Sequence, residues 1–403
     1  MAEAGERVAA QRRFEIRLVN AISPQGLARL PAELYRTGTD IAEPSALLVR
    51  SADLHKALLP ASLQAIGRCG AGTNNIPVAA MSERGVPVFN APGANANAVK
   101  ELVLAGMLMA ARNLAPALGF VAALDPAAET MEHTVEEGKK QFAGRELAGQ
   151  TLGIVGLGRV GCLVADAAIK LGMEVLGFDP EITVDAAWSL PSQVRRAASV
   201  AEVLRGSDFV TLHVPLVDAT RHLVDGAKLA LMRADAVLLN FSREGVVDEA
   251  AVLAALEGRR LGWYVCDFPT PAASRHAKVV ALPHLGASTR EAEVNCAVMV
   301  IDQLRDFLEH GNVANAVNFP AVAMLRESAF RVAIANANVP NMLGQISTAM
   351  ANAGLNIHTM VNKSRGDMAY TLVDVDSAVE EGVLATLRGI EGVLSVRYLP
   401  LES

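Results

Sequence analysis

Apolar residues along this chain fall into short runs that end in glycine or polar turns. Between the runs the spacing changes to a helical period. RFEIRLVNAI, ALLVRS, LQAIGRCGAG and GVPVFNAPG read as strands, and VAAMSERG reads as a helix capped by Gly85. A helix begins near Asn97 and runs through AVKELVLAGMLMAARN; residues 113–146 are less regular, and EEGKKQ reads as a solvated face. A second alternation follows. TLGIV, MEVLGFD, DFVTLHVPL, AVLLNF, GWYVCDF and KVVALP are strands. CLVADAAIKLG, SVAEVLRGS and DEAAVLAALEGRR are helices, the last with Asp248 as N-cap and Gly258 past its end. A helix from Thr289 opens with a capping-box pattern, Ser288 to Glu291, and runs to about Gly311. Strands alternating with helices imply parallel, doubly wound sheets.

The last portion changes character. From FRVAIANANVP to VLSVRYL the order is β-α-β-β-α-β, a ferredoxin-like arrangement, and VNFPAVAMLRES reads as the linker before it. The expected fold class is therefore α/β: two doubly wound, Rossmann-like domains and a C-terminal ferredoxin-like βαββαβ domain. The boundaries read as 1–96 with 290–325, 97–289, and 329–403.

Composition narrows the picture in a few places. The formal net charge is −7, which argues against a nucleic-acid partner, because phosphate binding wants a basic face. Cys69, Cys162, Cys266 and Cys296 have neither disulfide-framework nor zinc spacing, and no metal site is expected. They read as small buried residues in a reducing cytosol. The N-terminus lacks the apolar core of a signal peptide, and LVLAGMLMAA is too short to span a bilayer. A cytoplasmic protein with no membrane contact is expected.

Candidate chemistry starts at Gly156-Leu-Gly158-Arg-Val-Gly161. A strand precedes it, a helix follows, and Asp179 ends the next strand. That context marks a dinucleotide site: a tight turn, a close approach to pyrophosphate, close helix packing, and an acid for the ribose hydroxyls. An acid there repels a 2′-phosphate, so NAD is expected rather than NADP. Two later strand ends carry Ser242-Arg243 and His284. Ligands of open α/β sheets sit at the carboxyl ends of strands. An arginine fork there can hold a carboxylate, and a histidine can take a hydroxyl proton while hydride leaves the same carbon. Taken singly, Arg243 is equally read as a surface arginine and His284 as a loop histidine.

CGAGTNNIPV, VFNAPGANANAVKELV, GLGRVG with Asp179, LHVPL, NFSREGVVDE and LPHLGAST together resemble the D-isomer-specific 2-hydroxyacid dehydrogenases. The resemblance runs from about residue 14 to the end. NANVPNMLGQIS and NAGLNI resemble an ACT domain, which points to the phosphoglycerate dehydrogenases of that family. The resemblance implies NAD-dependent oxidation of 3-phospho-D-glycerate to 3-phosphohydroxypyruvate, the first step of L-serine biosynthesis, in a homodimer or homotetramer. The three domains become substrate-binding, NAD-binding and regulatory. Arg243 matches the substrate-orienting arginine and His284 the acid/base histidine. Arg159, Val160, His213, Val214, Pro215, Phe241, Ser242, Asp267, Gly286 and Ala287 match cofactor-contacting positions. Gly70, Ala71 and Gly72 match the loop that offers amides to the substrate carboxylate, Asn95 matches a substrate-binding position, and Arg50 and Ser51 match the segment that helps hold its phosphate. Asn336, Asn338 and Asn356 match effector positions, with L-serine the implied effector.

The family pattern after the strand, approximately D-V-F-x-x-E-P, gives the histidine a glutamate partner. Here CDFPTPAAS puts Pro271 in that place. Either another acid, such as Asp267 or Glu244, reaches His284, or the histidine works unassisted. The alternatives are another D-2-hydroxyacid dehydrogenase acting on hydroxypyruvate or glyoxylate, and a non-catalytic NAD-binding regulator.

Overall fold

The computed structural model describes residues 13–126 and 130–401. The polar stretch at residues 1–12 lies outside them. The chain divides into two compact units, residues 96–292 and the remainder on both sides of them.

The first unit opens with β1 (Phe14–Leu18), β2 (Tyr35–Gly38), β3 (Ala46–Val49), β4 (Ala65–Arg68) and β5 (Val88–Phe89). They form a parallel sheet in the order β2-β1-β3-β4-β5. Alternation along β3 sends Leu48 into the same core as Ile16 and Phe89, and Leu47 and Val49 into a second core on the other face. The helix Arg290–His310 supplies Ala297, Val300 and Leu304 to the first core. It approaches closely because a Cβ at Gly67 would stand 2.6 Å from Val300 and one at Gly26 would stand 2.7 Å from Ala297.

The second unit holds β6 (Thr151–Val155), β7 (Glu174–Phe178), β8 (Arg195–Arg196), β9 (Phe209–Leu212), β10 (Val237–Asn240), β11 (Trp263–Cys266) and β12 (Val279–Ala281). The order β12-β11-β10-β9-β6-β7-β8 is parallel throughout, and the chain reverses its direction of travel between β6 and β9. That reversal is where ligands bind in doubly wound sheets. An apolar core lies on each face of the sheet.

The end of the chain returns to the first unit as β13 (Phe330–Ala337), β14 (Ile357–Arg365), β15 (Met368–Val375) and β16 (Val393–Pro400), antiparallel in the order β14-β15-β13-β16. With helices Met342–Asn352 and Glu381–Arg388 this is an ACT-like βαββαβ fold. One face packs beneath the two helices through Val332, Ile334, Ile346 and Val373. The other face sends Tyr370, Leu372 and Leu399 into the core shared with Phe307 and Phe319.

Buried polar groups fasten that second face. Arg331, fully buried, grips Asp374 with two hydrogen bonds of 2.6 and 2.9 Å. It also donates to the carbonyls of His310, Met324 and Leu325. Burial alone would raise the Asp374 carboxyl, but Arg331 and the Glu327 amide outweigh it and hold the pKa below the usual value. Arg397 donates to the carbonyls of Phe307 and Leu308, and the Tyr370 hydroxyl donates to Gly311.

Some expectations change. Residues 113–146 contain helices Leu114–Ala122 and Met131–Gly138. The N-cap of the long helix is Thr289, whose Oγ1 accepts from the Ala292 amide, so Ser288 and Glu291 do not form the expected box. At the end of helix Glu249–Glu257 the left-handed residue is Arg259, with φ 53°, while Gly258 is right-handed. The stretch read as a linker is packed: Phe319, Val322 and Met324 are buried.

Removing one partner of a buried ion pair strands the other charge, at about 3–5 kcal/mol. Asp374→Ala is therefore expected to lower unfolding stability by about that much in a urea titration of the whole chain. A loss below about 1 kcal/mol would mean that Arg331 is satisfied by the three carbonyls alone.

Candidate active site

The singled-out residues of the second unit stand on loops at the carboxyl ends of its strands. After β6, Gly156 has φ 96°, and a Cβ there would lie 2.5 Å from the His213 carbonyl oxygen. A Cβ on Gly161 would lie 2.1 Å from the Gly156 oxygen, so the helix Arg159–Lys170 packs tightly against the turn. At Gly158 nothing lies within 4 Å. The open space in front of this helix N-terminus, with Arg159 and Val160 in its first turn, suits a dinucleotide pyrophosphate. Asp179 ends β7. Its carboxylate accepts from the amides of Leu157 and Glu181, at 2.8 and 2.9 Å, which fixes it beside the glycine turn.

After β9, the His213 amide donates to Val155, tying this loop to β6. The His213 ring pairs with the Thr211 hydroxyl at 3.0 Å, and burial pushes its pKa down to about 4. The ring is neutral at neutral pH and adds no charge to the site. Val214 and Pro215 continue the loop. After β10, Asn240 shapes the turn: its Oδ1 accepts from the Ser242 amide and hydroxyl, and its Nδ2 donates to the Arg243 carbonyl. Phe241 and Ser242 are buried and Arg243 is half-buried. Burial lowers the pKa of the Arg243 guanidinium, which still stays charged at neutral pH.

Asp267, 1% exposed, follows β11 and builds the histidine loop. Its carbonyl accepts from the His284 amide at 3.0 Å. Its carboxylate oxygens accept from the Leu285 and Gly286 amides at 2.7 and 2.8 Å. One residue thus gathers three successive N–H groups. His284 is held at φ 57°, a left-handed conformation that a non-glycine residue adopts only when its surroundings impose it. Each oxygen of the carboxylate expected at the cofactor thus accepts one amide of this loop.

Phe268 brings the two candidate catalytic side chains together. Its ring centroid is 4.5 Å from that of His284 and 5.9 Å from the Arg243 guanidinium carbon. Among the described residues the His284 imidazole has no hydrogen-bond or ion-pair partner. Neither Asp267 nor Glu244 serves it. Thr270, beside Pro271, donates instead to Glu249. Ala287 sits half-buried past the loop.

In the first unit, Asn20 Oδ1 accepts from the amides of Arg50, Ser51 and Ala52. Asn75 Nδ2 donates to the Ala52 carbonyl from the other side. The Arg50 guanidinium pairs with Glu293. A Cβ on Gly70 would meet Arg68 Nη1 at 1.5 Å, so glycine lets that guanidinium lie across the loop. The Asn90 amide holds the Ala71 carbonyl, and Gly72 and Asn95 are half-buried. On the C-terminal sheet Asn336 is buried, with Nδ2 on the Ala337 carbonyl and Oδ1 without a partner. Asn338 donates to Gly366, and the Asn356 amide donates to Asp376.

Sequence reading missed Phe268, Asn240, Asn20, Arg68 and Glu293. A polar residue at a strand end, just before a loop of interest, was the available signal for Asn20, Asn240 and Arg68. The phenylalanine of the D-V-F-x-x-E-P pattern falls on Phe268, but nothing local gave it a role, and nothing local marked Glu293.

Residues 105–286 match the family model described as D-isomer specific 2-hydroxyacid dehydrogenase, NAD binding domain. The chain is 31% identical over 349 residues to a D-3-phosphoglycerate dehydrogenase of Haemophilus influenzae, covering 84% of this chain and 81% of that protein. It is 36% identical over 266 residues to one of Methanocaldococcus jannaschii, covering 64% of this chain and 48% of that protein, so it spans about half the length of this relative. The solved NAD+-bound 3-phosphoglycerate dehydrogenase of Entamoeba histolytica superposes with a TM-score of 0.60 at 22% identity, over 76% of this chain and 98% of that one, which shows a shared fold. A family model over residues 105–286 and a relative above 30% identity that shares four-fifths of its length with this chain give the assignment: the chain belongs to the D-isomer specific 2-hydroxyacid dehydrogenase family and is an NAD(P)-binding oxidoreductase.

Proposed function

We propose that this protein oxidises 3-phospho-D-glycerate to 3-phosphohydroxypyruvate with NAD, at the entrance to serine synthesis in the cytoplasm. The observation that carries the reading is the grouping of Arg243 and His284 around Phe268 at neighbouring strand ends. The named activity of the curated relatives supports the substrate. Asp179 supports NAD over NADP, because its carboxylate would repel a 2′-phosphate. Homo-oligomerisation accords with exposed Leu114, Leu118 and Val121 on one short helix.

In this reading Arg243 holds the substrate carboxylate with its forked donors and polarises C2. His284 takes the C2 hydroxyl proton as the C2–H bond breaks. NAD, when bound, supplies the acceptor for that hydride. Phe268 keeps the arginine and histidine at a set separation, and Asp267 holds the loop from which His284 projects. Arg50 and Ser51 take the phosphate, and Gly70 to Gly72 with Asn95 take the carboxylate end. The C-terminal module senses L-serine through Asn336, Asn338 and Asn356.

Oxidation of NADH by the purified protein is expected with 3-phosphohydroxypyruvate, at a kcat/KM well above that for hydroxypyruvate or glyoxylate. A preference for either unphosphorylated acid would reassign the substrate. Arg243→Ala and His284→Ala are each expected to cut turnover by roughly a hundredfold or more while NADH fluorescence still reports binding. Wild-type turnover in either variant would remove that residue from the chemistry. Titrating L-serine into the same assay is expected to lower the initial rate, and a flat response would leave the module a purely structural role.

A further inference from the structure

The charges around Arg50 allow a step that rests on the substrate reading above. Three successive amides, those of residues 50–52, converge on Asn20 Oδ1 at 2.9, 3.1 and 3.1 Å. Such a concavity of N–H groups is an anion-binding device. Here the protein's own amide oxygen fills it, so these three amides are not available to a phosphate. Binding of an anion then falls to side chains.

Two guanidiniums and one carboxylate are at hand. Arg50 Nη2 pairs with Glu293 Oε1 at 2.5 Å, and both side chains are about two-fifths exposed. Arg68 lies across Gly70. Burial raises the pKa of the nearby Cys296 thiol, Arg68 and Arg50 pull it down, and Glu293 pushes it up, so all three charges act on one neighbourhood. A guanidinium has five donors in a rigid fork, so Arg50 can keep Glu293 on one edge and meet a second anion on another. That second anion then stands roughly 5–6 Å from a fixed negative charge, close enough for repulsion to matter in a half-exposed site.

We infer that Glu293 is a positioning and specificity-setting residue: it aims the Arg50 guanidinium and weakens the loop's hold on a dianionic phosphate. The repulsion scales with the substrate's charge, so it bears on a phosphorylated substrate and hardly on an uncharged hydroxymethyl end.

The test uses the whole enzyme with NADH and two substrates, 3-phosphohydroxypyruvate and hydroxypyruvate, at low and high salt. Glu293→Gln is expected to lower KM for the phosphorylated substrate roughly three- to tenfold at low salt. The change falls in KM rather than kcat, and it shrinks as salt screens the charge. KM for hydroxypyruvate is expected to move less than about twofold, since it carries no second anion. Glu293→Asp keeps the charge and is expected to keep KM near that of the parent. A KM for 3-phosphohydroxypyruvate that rises or stays fixed in Glu293→Gln overturns the inference, as does an equal shift for both substrates. Arg50→Ala separates the two levels. If it leaves both KM values unchanged, phosphate does not bind at Arg50 and the substrate reading fails at that point. If it raises KM selectively while Glu293→Gln does not lower it, only the role of the carboxylate is lost.

Discussion

The end of the helix Arg290–His310 governs how the first unit is built. A helix leaves its last carbonyls without partners, and the negative end of its dipole favours cations. Here the carbonyls of Phe307, Leu308, His310 and Gly311 are met by Arg397, Arg331 and Tyr370 from the C-terminal sheet. Arg397 also stacks on the Phe307 ring, 4.2 Å from its centroid. A fully buried Arg331 and a half-buried Arg397 at a helix end cost desolvation energy unless their donors find partners. That requirement makes the geometry specific. The ACT-like sheet docks in one register against the helix, and the helix is seated on the parallel sheet by the close approach at Gly67 and on the short helix Pro24–Leu27 by that at Gly26. Its first turns carry Glu293, which pairs with Arg50. A single rigid rod thus joins the C-terminal module to the loop after β3.

A second device recurs at strand ends. Parallel strands deliver their chain into loops whose amides have no ladder partner, and a short polar side chain gathers them. Asn20 takes three amides of the loop after β3. Asn240 shapes the turn before Arg243, Asp179 holds the glycine turn, and Asp267 takes successive amides around His284. Loops held this way are preorganised, and catalytic groups on them need less rearrangement when substrate arrives.

This device also explains what was legible in the sequence. The glycine fingerprint, Asp179, Arg243 and His284 could be read because each depends on local backbone geometry or on its place at a strand end. The doubly wound alternation could be read because buried strands are continuous apolar runs. β2 and β8 could not: Arg195–Arg196 is an exposed edge pair that depends on a neighbour's unpaired backbone, and YRTG offers a single core residue, Tyr35, whose partners Phe14 and Glu309 lie far off in sequence. Thr289 and Ser288 are both good caps, and only the path of the chain out of the histidine loop chose between them. The apolar residues of VNFPAVAMLRES look like a linker until a sheet from further along the chain closes over them. Phe268 and Glu293 owe their roles to residues distant in sequence, so no local pattern revealed what they touch.

The missing carboxylate follows from the same economy of partners. Asp267 stands closest in sequence to the site, yet both its oxygens are committed to the loop amides. Turning it toward the imidazole would strand the buried Gly286 amide, at about 1–3 kcal/mol, and release the part-buried Leu285 amide. Glu249, the other acid beside this loop, is committed to Thr270. The His284 ring is instead steadied by an aromatic face and by a strained backbone that the three Asp267 contacts enforce. A carboxylate partner would orient the ring and also stabilise the imidazolium. Phe268 and Asp267 divide the orienting task between them, and neither supplies a compensating charge to the ring. Orientation of the ring is thus separated from charge: among the described residues of this unit, what fixes His284 is packing and backbone geometry, not a carboxylate.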